Sequence, residues 1–308
     1  MSIEAARTSE GARPDLAALE VNPGIGYIGS RILPVMRVGA KAGTYYYATL
    51  TADASAQTDR TAGSAPTSTL LSESSTTWSA AERIKRYRVP YEMCPLVGGV
   101  AGSDKLGGKA SKRSVLNALE TAQLAVLVDG AGTSITSAIV DGITDACDQV
   151  HRYNGKTALV LDVGIYRWLV QQTEIKNLLV RTFGGLGYVE AMSATSKALL
   201  GMLQGILPVD EVLIADDKFY PYGYRTTAAI VKLPPENDEM SFIMEPEYGR
   251  TMIYWPQEAA NPFEVNSFPD DDIRSNVYDA TEWDSIEQFN SGAKVLLTLN
   301  TSGSTTGA

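Results

Sequence analysis

The chain has 308 residues, 44% of them hydrophobic, and a net charge of −10, and it can bury about three quarters of its unfolded surface in one large domain or two modest ones. Charges or glycines interrupt every apolar run short of the ~20 residues a membrane span needs, and Glu4, Arg7, Glu10 and Arg13 stand where a secretion signal needs an apolar stretch. Two cysteines 53 residues apart, Cys94 and Cys147, and one histidine, His151, support neither a disulfide scaffold nor a structural zinc site, so a reducing cytosol is expected.

Residues 1–20 are polar apart from Leu16, Ala17 and Leu19 and read as an extended or partly helical arm. Pro23 and Pro34 make 22–38 irregular or short-stranded. Gly24, Gly26 and Gly29 have the spacing of a dinucleotide-binding turn, but the run before them is a poor strand and Pro34 stops any helix soon after, so the reading is a flexible turn. Lys41–Leu50 and Trp78–Tyr91 carry β-branched and aromatic residues at near-alternate positions and are predicted strands. Between them, 51–77 is Ala, Ser and Thr with hardly a large apolar side chain. Structureless loops that long are uncommon inside compact domains, so the segment is either disordered or held by something outside its own subunit.

Pro90–Gly108 reads as a loop, with glycines at 98, 99, 102, 107 and 108. A helix is predicted from a cap at Ser111 through Val115, Leu119, Ala122 and Val126 to a stop at Gly130 and Gly132, ~27 Å long at 1.5 Å per residue. From Ser137 the pattern is alternating α/β: helix over Ala138–Tyr153, strand over Thr157–Val163, helix over Ile165–Gln172, then strands at Val212–Ala215 and Ala228–Leu233. Beyond Pro234 come strands and turns at Phe242–Glu245, Thr251–Trp255, Phe263–Phe268, Val277–Tyr278 and Ala293–Leu299, then a fraying tail.

No catalytic constellation emerges. Gly98–Gly102 and Gly184–Gly187 lack the lysine and hydroxyl ending of a phosphate loop. A Ser-His-Asp site has no supporting elbow sequence around the single histidine, and a solvated or capping role suits His151. Asp270, Asp271 and Asp272 lack the spaced ligands and turn glycine of a calcium loop and read as a charged surface loop. The Asn300 sequon means nothing without secretion. Cofactors and metals are therefore expected to be absent, and the chain is read as no enzyme.

Charge is unevenly placed. Residues 82–113 hold eight basic and three acidic residues, a net +5, whereas 236–287 hold two basic and fourteen acidic residues, a net −12. The two segments attract, either within one subunit or head to tail between subunits, where the contact builds rings or shells. On a strand, Arg83 and Lys85 fall on one face and Arg86 and Arg88 on the other, so they do not form one nucleic-acid groove. The candidate inter-subunit contacts are Trp78, Arg83, Lys85, Arg86, Arg88, Asp270, Asp271 and Asp272.

The order of these pieces resembles the major capsid proteins of tailed bacteriophages, the Hong Kong 97-type fold, from about Asn22 to Leu299. Ser30–Val35 (SRILPV) is similar to the end of that family's arm, and Trp78–Pro90 to the returning strand of its extended loop. Thr157–Leu169 is similar to a strand and helix of the axial domain, and Leu200–Tyr220 to its short helix, acidic residue and strand. The resemblance implies an α+β chain: arm 1–39, extended two-stranded loop 40–90, peripheral domain with a long spine helix 91–136, axial α/β domain 137–233, and peripheral strands with a tail 234–308. It implies self-assembly through hexamers and pentamers into the icosahedral head of a virion, assembled in the host bacterial cytoplasm. The partners implied are a portal protein and, because only about 20 residues precede the arm motif, too few for a scaffolding domain, a separate scaffolding protein, with decoration proteins left open. DNA would be enclosed without sequence-specific binding, and no membrane is involved. The alternatives are a bacterial nanocompartment (encapsulin-like) shell, another virion structural protein such as a tail tube, and an enzyme with a long mobile lid.

Overall fold

The computed structural model describes residues 13–18, 27–49, 72–135, 138–151, 155–182, 196–221, 226–234, 248–256 and 261–299. Most of 51–77, the strand expected at 242–245, Gly24 and Gly26, Gly184–Gly187 and the Asn300 sequon lie outside these residues.

Two short helices, α1 (Pro14–Ala17) and α2 (Gly29–Ile32), precede β1 (Val35–Val38). Strands β2 (Ala42–Thr49) and β3 (Ser72–Ser79) pair antiparallel, and after Ala80 the chain runs on as β4 (Ala81–Pro90). Next comes α3 (Gly99–Val128). Then follow β5 (Thr133–Ile135), α4 (Ile139–His151), β6 (Thr157–Asp162), α5 (Val163–Gln171), a helix over 173–182 (α6), α7 (Ser196–Ile206), β7 (Glu211–Ala215) and β8 (Thr227–Lys232). The last strands are β9 (Gly249–Tyr254), β10 (Glu264–Asp270), β11 (Ser275–Gln288) and β12 (Lys294–Leu299).

These strands make two five-stranded sheets and the separate β2–β3 hairpin. One sheet has the order β5-β12-β8-β6-β7. Every residue of β6 and β8 is buried, because the sheet is covered on both faces, which is why these strands read as continuous apolar runs rather than alternations. Leu159 and Leu161 face a core with Ile143, Ile165, Leu169, Ile175 and Leu203 of the surrounding helices. Ala158 and Val160 face the opposite core, where Leu124, Leu127 and Val128 of α3 pack with Ile32 and Leu33. The sequence reading grouped Ala293–Leu299 with the peripheral strands, but β12 pairs with β8 and β5 and belongs to this α/β sheet.

The second sheet is organised by β11, which has 14 residues where the sequence suggested a strand only around Val277 and Tyr278. One edge of β11 pairs with β4 along Asp284–Ser275, and the other pairs first with β10 and then with β9, which carries β1 beyond it. The amino-terminal part of α3 covers one face, with Val115 packed among Val89, Val265, Tyr278, Ala280 and Leu16.

The helix α3 thus bridges both sheets, and its 30 residues span ~45 Å. It begins twelve residues before the expected cap: Ser111 is buried mid-helix and donates to the Gly108 carbonyl at 3.1 Å. The glycines that suggested a loop permit close packing. A Cβ on Gly107 would lie 2.0 Å from the Tyr278 ring, and one on Gly108 would lie 3.3 Å from Leu16. At the other end the helix stops at Val128 and Gly130 turns back with φ +125°. Its last carbonyls are met by the Tyr248 hydroxyl (to Val126, 3.0 Å) and the Lys294 ammonium (to Asp129, 2.9 Å), groups that suit the negative end of a helix.

The arm motif is clamped to the middle of α3. Glu120 accepts from the Ile28 and Gly29 amides at 2.7 and 2.9 Å, and Gln123 donates to the Thr251 hydroxyl at 2.8 Å. A Cβ at 29 would sit 2.2 Å from the Gln123 side-chain oxygen and 2.8 Å from the Glu120 carboxylate, so a larger residue would have to displace both. Arg31 pairs with Glu211 at 2.7 Å, which ties the arm to the α/β sheet.

Candidate assembly surface

The β2–β3 hairpin has no core of its own. On the described residues its side chains are mostly exposed, and Tyr46 reaches 65%. An isolated two-stranded hairpin is marginal in water, so its root must hold it. There Tyr45 stacks on Phe289 with ring centroids 4.8 Å apart, Ala80 donates to the Lys41 carbonyl at 2.7 Å, and the Lys41 ammonium lies 3.3 Å from the centre of the Trp283 ring. Trp78, a predicted contact, is half-buried and lies across Gly43, its register partner, which leaves 3.1 Å between a Cβ there and the indole. The return strand starts at Ser72 rather than Trp78, so SESSTT is strand despite its polarity. Its partner on β2 supplies Tyr45–Tyr47 across the ladder.

Beside this root, the face of β10, β11 and β4 away from α3 forms an open groove of about 300 Å³. Lys41, Ile84, Arg86, Phe268, Asp279 and Trp283 line it. The sequence offered no signal for this groove, because its residues come from four separated segments.

The four basic residues of β4 divide by face as expected, and two of them find acidic partners within the chain. Arg83 makes a two-pronged pair with Asp284, both contacts 2.7 Å, and reaches the Ala118 carbonyl of α3 at 3.4 Å. Arg86 makes the same pairing with Asp279, again at 2.7 Å. The attraction between the +5 and −12 segments is therefore met inside one subunit, because β4 and β11 are ladder neighbours. Lys85 and Arg88 are exposed and form no ion pair among the described residues. Asp270 ends β10, and Asp271 and Asp272 make the exposed turn into β11. Asp271 accepts from the Tyr91 hydroxyl at 3.2 Å, so this turn lies against the end of β4.

That end of the sheet also exposes apolar side chains which the sequence reading passed over. Met93 is 42% exposed, Leu96 83%, Val100 67% and Ile273 44%, and the Tyr91 amide donates to the Arg274 carbonyl to join the segments that carry them. The signal was available in the apolar residues of CPLVGGV, which have no periodicity to bury them.

Charge is also sealed beneath α3. Glu282, 1% exposed, has an oxygen with no partner among the described residues. Burial, and then the adjacent Asp284 carboxylate, push its pKa up to about 7 against the opposing pull of Arg83. Lys112, also buried, donates to the Ala17 carbonyl at 2.8 Å, and burial lowers its pKa. Among the described residues no three His, Cys, Asp or Glu side chains converge to hold a metal, and no helix is long and apolar enough to cross a membrane.

The same architecture recurs in solved structures. A phage-related protein from Bordetella bronchiseptica RB50 superposes with a TM-score of 0.62 at 13% identity, covering 94% of this chain and 97% of its own. The capsid of the cyanophage P-SCSP1u matches at 0.57 and 10% identity, covering 92% and 91%. This is the Hong Kong 97-type capsid fold. A virus-like particle from Pyrococcus furiosus superposes at 0.51 and 9% identity, over 86% and 89% of the two chains. No protein-family model matches the sequence, and no curated protein does.

Proposed function

We propose that this chain is the major capsid protein of a tailed bacteriophage, self-assembling through hexamers and pentamers into the icosahedral shell around a double-stranded DNA genome. The observation that carries the reading is the fold itself, shared over 94% of the chain and retaining a projecting hairpin without a core. The exposed apolar end at Leu96 and Val100 suits contact between proteins. A net charge of −10 suits a wall that must not bind its nucleic-acid contents. The role is structural rather than enzymatic, and the location is the virion. A nanocompartment shell is less favoured, since the solved structures that share the architecture include a structure named as a phage capsid, matched over 92% of this chain.

On this reading 1–39 is the arm, 40–90 the extended loop, 91–136 the peripheral domain with α3, 137–233 the axial domain, now joined by β12, and the rest of 234–308 peripheral. Residues 51–77 lie across a neighbouring subunit, and scaffolding and portal proteins complete the head. The purified chain is expected to sediment as capsomers or closed shells visible by negative-stain microscopy. A monodisperse monomer at high concentration across several salt strengths counts decisively against it. Limited proteolysis should cut within 51–77 in the monomer and be suppressed on assembly, whereas equal protection in both states removes the inter-subunit role of that segment.

A further inference from the structure

A second carboxylate cluster lies away from the assembly surface, at the carboxyl-terminal edge of the parallel pair β6 and β7. Asp162 is the last residue of β6 and sits beside Ala215, the last of β7, so Asp216 and Asp217 leave the sheet along the same edge. Asp162 is 3% exposed. One of its oxygens accepts the Gly164 amide of α5 at 3.2 Å, while the other has no hydrogen-bond donor among the described residues. The Asp217 carboxyl lies within hydrogen-bonding reach of the Asp162 side chain, and Asp217 itself is exposed. Lys218 is committed to a different carboxylate: it pairs with Asp216 at 2.9 Å, and its amide donates to the same side chain. Tyr220 is close enough to feel the Asp162 charge, but its hydroxyl is committed to the Thr227 carbonyl.

Two carboxylates in contact, one of them buried with an unpartnered oxygen, require either a shared proton or a cation between them. Burial and the neighbouring Asp217 hold the Asp162 pKa well above the usual carboxylate range, so a proton fills this role in acid and its occupancy falls as the pH rises. We propose that Asp162 and Asp217 form a binding site for a hard divalent cation of the magnesium class, which bridges the two side chains and is open to solvent through Asp217. Magnesium ions are commonly held by one or two carboxylates with water completing the octahedron, which suits a pair rather than a cage. The carboxyl ends of parallel strands are also where open α/β sheets place their ligands. The inference does not depend on the capsid reading.

The test uses the full chain and Asp217→Asn, a change at an exposed position that preserves shape. At pH 7.5 and fixed ionic strength, MgCl2 should raise the unfolding temperature of the parent to a plateau and leave Asp217→Asn unmoved. At pH 5 the parent's response should shrink as the proton competes. Terbium, added as a luminescent probe excited through Tyr220, should bind the parent, be displaced by MgCl2, and lose its signal in Asp217→Asn. An unfolding temperature indifferent to MgCl2, or equally responsive in both proteins, overturns the site and leaves the pair sharing a proton only.

Discussion

The two ends of α3 meet their sheets in opposite ways. Toward its carboxyl end, Leu124, Leu127 and Val128 enter an apolar core against β6 and β8. Toward its amino end, the helix approaches through Gly107 and Gly108 and covers a sheet face on which Glu282 and Asp284 are buried. The first contact resembles the inside of any α/β domain. The second is held by close approach, with Arg83, paired to Asp284, reaching the Ala118 carbonyl of α3, and it leaves one Glu282 oxygen without a partner among the described residues. A single helix can therefore anchor one apolar unit and one whose packing depends on charge.

The contrast can be broken most strongly from the dry side. Leu127 is fully buried, and Leu127→Ala should cost about 3–5 kcal/mol through lost burial and a residual cavity. Chemical denaturation between pH 4 and 8 measures this, and the loss should not vary with pH, since burial pushes the tyrosine hydroxyls of that core up, Tyr248 to about 12, well outside this range.

The charged side should respond to pH. The folded chain holds the Glu282 proton up to about 7, against an ordinary value of 4.5. Between those values the folded state binds more protons than the unfolded one, so this residue's contribution to stability falls as pH rises through the window and stays reduced above it. Glu282→Gln should leave stability unchanged near pH 4 and raise it by about 2–3 kcal/mol at pH 8. Parallel denaturation curves for parent and variant that stay equally spaced from pH 4 to 8 would show that Glu282 does not titrate there.

The same contrast explains what was legible in the sequence. The fully buried strands β6 and β8 announced themselves as apolar runs, and α4 and α5 as amphipathic periods, because burial alone shapes them. The amino-terminal half of α3 did not, since Gly99, Gly102, Gly107 and Gly108 signal loops unless one knows that Tyr278 and Leu16 press against the last two. Strand β11 was seen only at Val277 and Tyr278, because DATEWDSIE looks like surface until Arg83 and Arg86 arrive from β4, about 200 residues away in sequence. Of the candidate surface, the sequence located β4 as a strand and Asp271 and Asp272 as an exposed turn. The groove and the intrachain pairing were not located, because both depend on the register of distant strands.

Gly107 sharpens the point about close approach. In an exposed helix interior, Gly→Ala stabilises by up to about 1 kcal/mol. Here the new methyl would meet the Tyr278 ring, so Gly107→Ala should instead destabilise by about 1–2 kcal/mol. Adding Tyr278→Ala should relieve that clash, giving a non-additive double-mutant cycle. Additive effects would place the ring elsewhere.

The smallest effect on the fold is expected where the two readings of the charged strand now separate. Lys85 and Arg88 are exposed and hold no ion pair among the described residues, so reversing both to Glu should change subunit stability by no more than about 0.5 kcal/mol. If the strand edge faces acidic surface on a neighbour, repulsion is repeated at every copy of the contact, and assembly at low salt should weaken far more than folding does. Salt should narrow the difference, since exposed charges are screened within about 8–10 Å at moderate ionic strength. Sedimentation of parent and double variant across a salt series reads this directly. Normal shells from the variant at low salt would confine the charge asymmetry to the Arg83–Asp284 and Arg86–Asp279 pairs inside the subunit and leave neighbour contact to the hairpin and the apolar end near Leu96.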